Sequence, residues 1–152
     1  MSIIYGLLIV LISFISMELI SWITHKYVMH GFLWFLHKDH HELPKQGFFE
    51  WNDFFFLIFA VPGSSFIIYG SENFSFLFYI GIGITLYGLA YFLVHEIFIH
   101  QRIKIFRKTK NKYLHAIRQA HKIHHKKQTK EEGEHFGMLY VSISFLKRIN
   151  KI

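Results

Sequence analysis

The sequence predicts an all-α integral membrane protein, a helical bundle of three transmembrane helices with polar helical extensions, forming a single domain over residues 1–152. Three observations predict it. Hydrophobic residues make up 52% of the 152 positions, more than a soluble domain of this length needs, and mean hydropathy is positive. The apolar residues are gathered into three runs. Lys and Arg are absent from Met1–His25 and from Gln46–Gln101, so all 17 basic residues fall in two blocks, Lys26–Lys45 and Arg102–Lys151, and the apolar runs occupy the gaps.

The first span is Ile3–Ile23, an almost unbroken apolar run long enough at ~1.5 Å per residue to cross a hydrocarbon core of ~30 Å. It lacks a basic leading segment and a small-residue cleavage site, which argues against a removable signal sequence. The second covers about residues 51–69, with Trp51–Asp53 as its interfacial entry and Pro62–Gly63 as a kink. After the polar turn Gly70–Asn73, the third runs over about residues 74–94, antiparallel to the second, with Gly81, Gly83 and Gly88 allowing close helix approach. Phe136–Leu146 is too short to span, so it lies in the interface or re-enters, with a fourth full crossing as the weaker alternative. Both basic blocks share one side only if the N-terminus and the 70–73 turn lie on the other. By the positive-inside rule, that shared side is the cytoplasm.

Absence of cysteine excludes disulfides, thiolate zinc sites, iron–sulfur clusters and cysteine nucleophiles. The apolar spans exclude a nucleic-acid binder in spite of the net charge of +7. Apart from Glu18 they carry almost no ionisable group, which ranks a metal transporter low.

Ten of the 12 histidines form two copies of one pair of patterns. The first copy is H-x-x-x-x-H at His25 and His30, then H-x-x-H-H at His37, His40 and His41. The second is His95 and His100, then His121, His124 and His125. Positions i, i+3 and i+4 share a helical face, so each H-x-x-H-H directs three imidazoles at a common point. The i, i+5 pairs are ~140° apart on an ideal helix, and need a helix end or two different metals to act together. The hydropathy argument, which made no use of histidine, puts all ten in segments 25–41 and 95–125 on the cytoplasmic side. Ten neutral imidazoles suit iron, zinc, copper or nickel and exceed what one ion can use, so two metals are implied. A ligating imidazole passes its other N–H to an acceptor, and Glu18, Asp39 and Glu96 are the candidates. His115 and His135 lie outside the patterns and are expected to be bystanders, with an extra ligand or ligand-supporting role as the alternative for His135, which follows the ligand block closely.

A histidine site at the membrane face suits a substrate arriving through lipid. Iron with open positions activates O₂ against unactivated C–H bonds, whereas zinc has no redox chemistry. An oxygenase or desaturase acting on a lipid follows.

The histidine blocks and their surroundings resemble the bacterial β-carotene hydroxylases of the fatty acid hydroxylase superfamily. The resemblance is carried by His25–Gly31, His37–His41, Gly47–Asp53, Tyr87–His95, His100–Arg102 and Ala120–His125, and extends over most of Met17–Tyr140. It implies hydroxylation of carbon 3 of the β-ionone rings, from β-carotene through β-cryptoxanthin to zeaxanthin. It further implies two non-haem irons on the ten patterned histidines, O₂ as co-substrate, electrons from a ferredoxin-like donor, and residence in the bacterial inner membrane. Glu96 stands where an Asp is common in the family, and Glu134–His135 where small or apolar residues are expected. A fatty-acid or sterol hydroxylase, a carotenoid ketolase and a non-enzymatic metal-binding membrane protein are the rival readings. The aromatics Phe32, Trp34, Phe35, Phe48, Phe49, Trp51 and Phe54–Phe56 read as interfacial anchors before they read as a polyene slot. The basic run Arg102–Lys112 fits an acidic electron donor and anionic lipid equally well.

Overall fold

The computed structural model describes residues 2–42, 47–105, 108–127, 129–130 and 133–149, and among them all regular structure is helical. Lys45, Lys151 and, within the basic run, Phe106 and Arg107 lie outside the described residues. Helix α1 is Ile3–Ile23, and it passes without a break into π-helical Thr24–Phe32. After a break at Gly31 (φ −103°, ψ −122°) the chain turns into α2, Trp34–His41. A 3₁₀ turn, Trp51–Phe54, leads into α3, Phe55–Ser71, which runs unbroken through Pro62. Helix α4, Phe76–Tyr91, also ends in a π-helical segment, Phe92–Ile99. Helices α5, Lys112–His125, and α6, Ile143–Ile149, complete the fold.

Among the described residues three helical stretches are long and apolar enough to cross a membrane, Ile3–Phe32, Trp51–Ser71 and Phe76–Ile99. Their outward residues, among them Leu7, Leu11, Leu57, Ile68 and Leu89, are exposed, as lipid-facing side chains are. The chain is a membrane protein. The first and third stretches outrun the expected bounds because π-helical turns carry them on past Ile23 and Val94.

Helix α4 is central and meets a neighbour on each side through glycine. A Cβ at Gly81 would lie 2.7 Å from the Gly63 carbonyl of α3, and one at Gly83 would lie 2.7 Å from the Val10 carbonyl of α1. These contacts are the small-residue approach that packs helices in lipid, where no hydrophobic driving force operates between them.

A second core sits beyond the spans. Ala116, Ile117 and Ala120 of α5 pack on Phe98 and Ile99 at the end of α4 and on Val141 and Phe145. Helix α5 starts where Asn111 caps the Tyr113 and Leu114 amides, and the Arg118 guanidinium lies 3.7 Å from the Phe98 ring centroid while donating to the Phe98 carbonyl.

The expectation that Glu18 serves an imidazole is corrected by the structure. Its two carboxylate oxygens accept from the backbone amides of Met138, Leu139 and Tyr140 at 2.8–3.0 Å and from the Tyr87 hydroxyl at 2.9 Å. This span carboxylate therefore fastens the C-terminal segment onto α1. Phe136–Leu146 folds back over the histidines as irregular chain leading into one short helix, with Phe136, Met138, Val141 and Phe145 buried. Replacing Glu18 with Gln halves the acceptor capacity for three amides. Hydrogen exchange at Met138–Tyr140 should accelerate at least tenfold, corresponding to about 1.4 kcal/mol for charged hydrogen bonds of this kind.

Candidate metal centre

Nine of the ten patterned histidines gather into two buried clusters. His25, His30, His37, His41 and His124 form the first, and His40, His95, His100 and His121 the second, with one ring nitrogen of each member within 4.8 Å of the others in its cluster. The His125 ring lies 4.4 Å from that of His41, 4.7 Å from that of His40 and 4.5 Å from that of His121, at the boundary between the clusters. Each cluster therefore draws on both copies of the sequence pattern. The i, i+3, i+4 triplets are split: α2 gives His37 and His41 to one cluster and His40 to the other, and α5 does the same with His124 and His121.

The i, i+5 pairs converge through a device not visible in spacing on an ideal helix. His25 and His30 lie in the π-helical end of α1, and His95 in that of α4 with His100 at its cap. A π-helix bonds i to i+5, as the His100 amide does to the His95 carbonyl at 2.9 Å, so residues five apart lie one above the other. The His25 and His30 rings are 5.2 Å apart, and the His95 and His100 Nε2 atoms 3.1 Å apart.

Seven of the ten rings are oriented from behind by an acceptor on Nδ1. Nδ1 donates to the Phe136 carbonyl from His25 (3.0 Å), to Lys130 from His30 (3.4 Å), to Lys127 from His41 (3.1 Å) and to Glu134 from His124 (2.8 Å). His37 donates to Asn52 Oδ1 at 2.6 Å, His40 to Glu50 and His95 to Glu96, both at 2.5 Å. Of the carboxylates expected from sequence, only Glu96 has this role. Asp39 instead accepts from the Trp51 amide at 2.6 Å, because it sits on the outer side of α2 facing the 3₁₀ turn. Glu50 and Asn52 take its expected place. Their signal lay in the Gly47–Asp53 stretch, where three polar side chains interrupt an aromatic run.

The donor set fits a metal ion. With Nδ1 donating to an oxygen that can only accept, Nε2 carries a lone pair, yet Nε2 of His25 faces that of His37 at 3.1 Å, His30 that of His124 at 3.2 Å and His41 that of His37 at 3.2 Å. Facing lone pairs repel unless a cation lies between them. Two nitrogens ~2.1 Å from one ion and roughly at right angles are about 3 Å apart, which is the spacing seen. His40 Nε2 is buried without a hydrogen-bond partner among the described residues, again a lone pair awaiting an acceptor of electrons. His115 is exposed on the far face of α5, and His135 packs 4.5 Å from the Phe145 ring, away from both clusters.

The sequence model of the fatty acid hydroxylase family matches residues 10–146. This chain belongs to the fatty acid hydroxylase family. A β-carotene hydroxylase of Pantoea ananas is 42% identical over 137 residues, 90% of this chain and 78% of that protein. One of Pseudescherichia vulneris is 41% identical over 133 residues, 88% of this chain and 75% of that protein. A chloroplastic β-carotene 3-hydroxylase of Arabidopsis thaliana is 34% identical over 128 residues, 82% of this chain and 41% of that longer protein. No solved structure matches. Family and clusters together make the chain a metal-binding oxidoreductase of the membrane.

Burial holds His37, His40, His121 and His124 well below the ordinary imidazole range, and neighbouring imidazoles add to the effect. In the unfolded chain these groups titrate near pH 6.5, so between that value and their folded values the unfolded state binds more protons. Their stabilising contribution is full above about pH 6.5 and is lost as pH falls below it. Thermal unfolding of the metal-free protein in detergent should give a flat Tm from pH 8 to 7 and a progressive fall from about pH 6.5 to 5.

Proposed function

We propose that this chain is a β-carotene 3-hydroxylase, which inserts one oxygen atom of O₂ at carbon 3 of each β-ionone ring and reduces the other to water with two electrons from a ferredoxin-like donor. The observation that carries this reading is a cavity of about 330 Å³ on the membrane side of the two clusters. His25 and His37 of the first cluster and His95 of the second form its floor, and Phe56, Phe59, Gly88 and Phe92 of the spans form its walls. Phe56 and Phe92 are exposed on the outer surface, so the mouth faces lipid. Phe48, Phe49 and Phe55 join the lining, which gives the aromatic stretch a part in the pocket as well as at the interface.

A volume near the lower end of ligand pockets, ~300–1,000 Å³, suits one ring and excludes the whole of a long polyene. The ring enters and the chain remains in the bilayer. Apolar walls strip water from the ring, and the histidine floor sets one face of it against the metal positions. The ten patterned histidines hold two iron ions, His125 among them, and iron so bound supplies the O₂ activation that an unactivated C–H bond demands. Burial keeps the imidazoles neutral, and the acceptors on Nδ1 fix the tautomer that leaves the Nε2 lone pairs available for the metals. The clusters and the tail lie on the cytoplasmic side of the inner membrane, in keeping with the two basic blocks.

Expression in bacteria that accumulate β-carotene should yield β-cryptoxanthin and zeaxanthin in pigment extracts. Ketone products would make the protein a ketolase, and unchanged β-carotene beside well-inserted, iron-loaded protein would sink the reading. His124→Ala should abolish product, whereas His115→Ala should leave most of it.

The pocket makes its own test at Gly88. A Cβ there would meet no atom within 4 Å, so nothing in the packing of α4 requires glycine, and the space it leaves belongs to the cavity. Gly88→Phe should cut ring hydroxylation at least tenfold while leaving metal content and Tm near those of the parent.

A further inference from the structure

The groups behind the imidazoles differ in kind between the clusters. All five Nδ1 atoms of the first cluster meet neutral oxygens, four from backbone carbonyls and one from the Asn52 amide. In the second, His40 and His95 meet the carboxylates of Glu50 and Glu96 at 2.5 Å. A carboxylate that accepts an imidazole N–H draws the proton toward itself and makes the far nitrogen a stronger donor to metal, an effect a carbonyl exerts more weakly.

Both carboxylates are also held by Arg102, Glu50 through the same oxygen that His40 meets and Glu96 through its other one. Its Nη2 lies 3.2 Å from Glu50 Oε2 and its Nε 2.5 Å from Glu96 Oε2. The fork of Nη1 and Nη2 grips Asp53 at 3.0 and 2.7 Å, and Nη1 also donates to the Phe48 carbonyl at 3.1 Å. Burial works against the Arg102 charge, but Asp53, Glu96 and Glu50 more than offset it, so the guanidinium stays above its ordinary range. Its backbone is fixed as well, since the Arg102 amide bonds the Glu96 carbonyl at 3.0 Å directly after Gln101 turns the chain with φ 55°. Asp53 in turn accepts from the Glu50 amide and closes a capping box over the 3₁₀ turn. One guanidinium thus sets the position of two acceptors that come from opposite ends of different spans.

We propose that Arg102 is a positioning residue for the His40/His95/His100/His121 cluster alone, presetting Glu50 and Glu96 behind two of its imidazoles, and that the two metal positions are therefore unequal by construction. The proposal rests on reading the clusters as a two-metal centre. Arg102 touches no imidazole and acts through the carboxylates. A planar fork in three directions is a task for which Lys is a poor substitute.

The test is Co(II) binding to the purified metal-free protein in detergent, followed by visible absorbance. Two binding steps are expected, the one lost in His121→Ala belonging to the second cluster and the one lost in His124→Ala to the first. Glu96→Gln should weaken the second cluster's step by about 10–100-fold and leave the first within threefold. Arg102→Gln should do the same, with Arg102→Lys recovering part of the loss. Asn52→Asp, which places a carboxylate behind His37, should instead tighten the first cluster's step. If Arg102→Gln fails to fold, Glu96→Gln and Asn52→Asp decide the matter. Equal shifts in both steps, or none in either, would overturn the proposal while leaving the two-metal reading intact. Fewer than two equivalents bound by the parent protein would overturn both.

Discussion

Three pairs of imidazole nitrogens face one another at 3.1–3.2 Å in the first cluster and two more at 2.9 and 3.1 Å in the second, and everything around them is arranged to keep them there. Left alone, such rings would turn away or take up protons. The chain prevents both. The Nδ1 atoms of His25, His30, His37, His40, His41, His95 and His124 are each tied to an acceptor that cannot give a proton back, and burial makes an imidazolium unfavourable. A cation at each point of convergence satisfies the arrangement, which is why the geometry reads as a metal centre.

The acceptors come from segments outside the histidine motifs. Residues 127–136 supply four carbonyls to the first cluster, and their segment continues into 138–140, whose amides are held by Glu18 within the first span. A carboxylate in the membrane is costly unless it is well satisfied, and here three amides and a tyrosine hydroxyl satisfy it. The charge that stood out in the first span thus supports the metal centre at one remove, by closing the lid of backbone over it. The second cluster has a different support, through the guanidinium that bridges the beginning of α3 to the end of α4.

The spans and the ten histidines were legible because hydropathy and short spacings are local properties of sequence. Partners were legible only where they were neighbours: Glu96 lies beside His95 and does serve it. Glu18 and Asp39 were misassigned because proximity along a helix face says nothing about a segment 120 residues away or a turn 12 residues on, and those supplied their real partners. Glu50 and Asn52 went unassigned for the converse reason. The division of the histidines into clusters was also hidden, since an i, i+3, i+4 triplet looks like one site, yet α2 and α5 each lie across the seam between two.

The π-helical ends of α1 and α4 give the site an unusual sensitivity to register. A π-turn holds one residue more than the α-turn it replaces, and each residue on an α-helix turns the chain by about 100°. Wound as an ordinary α-helix with the same residues, either stretch would swing its second histidine and everything after it by about a quarter-turn, carrying α2 or the approach to α5 away with it. The centre is therefore encoded in the winding of two helix ends as much as in the residues they carry.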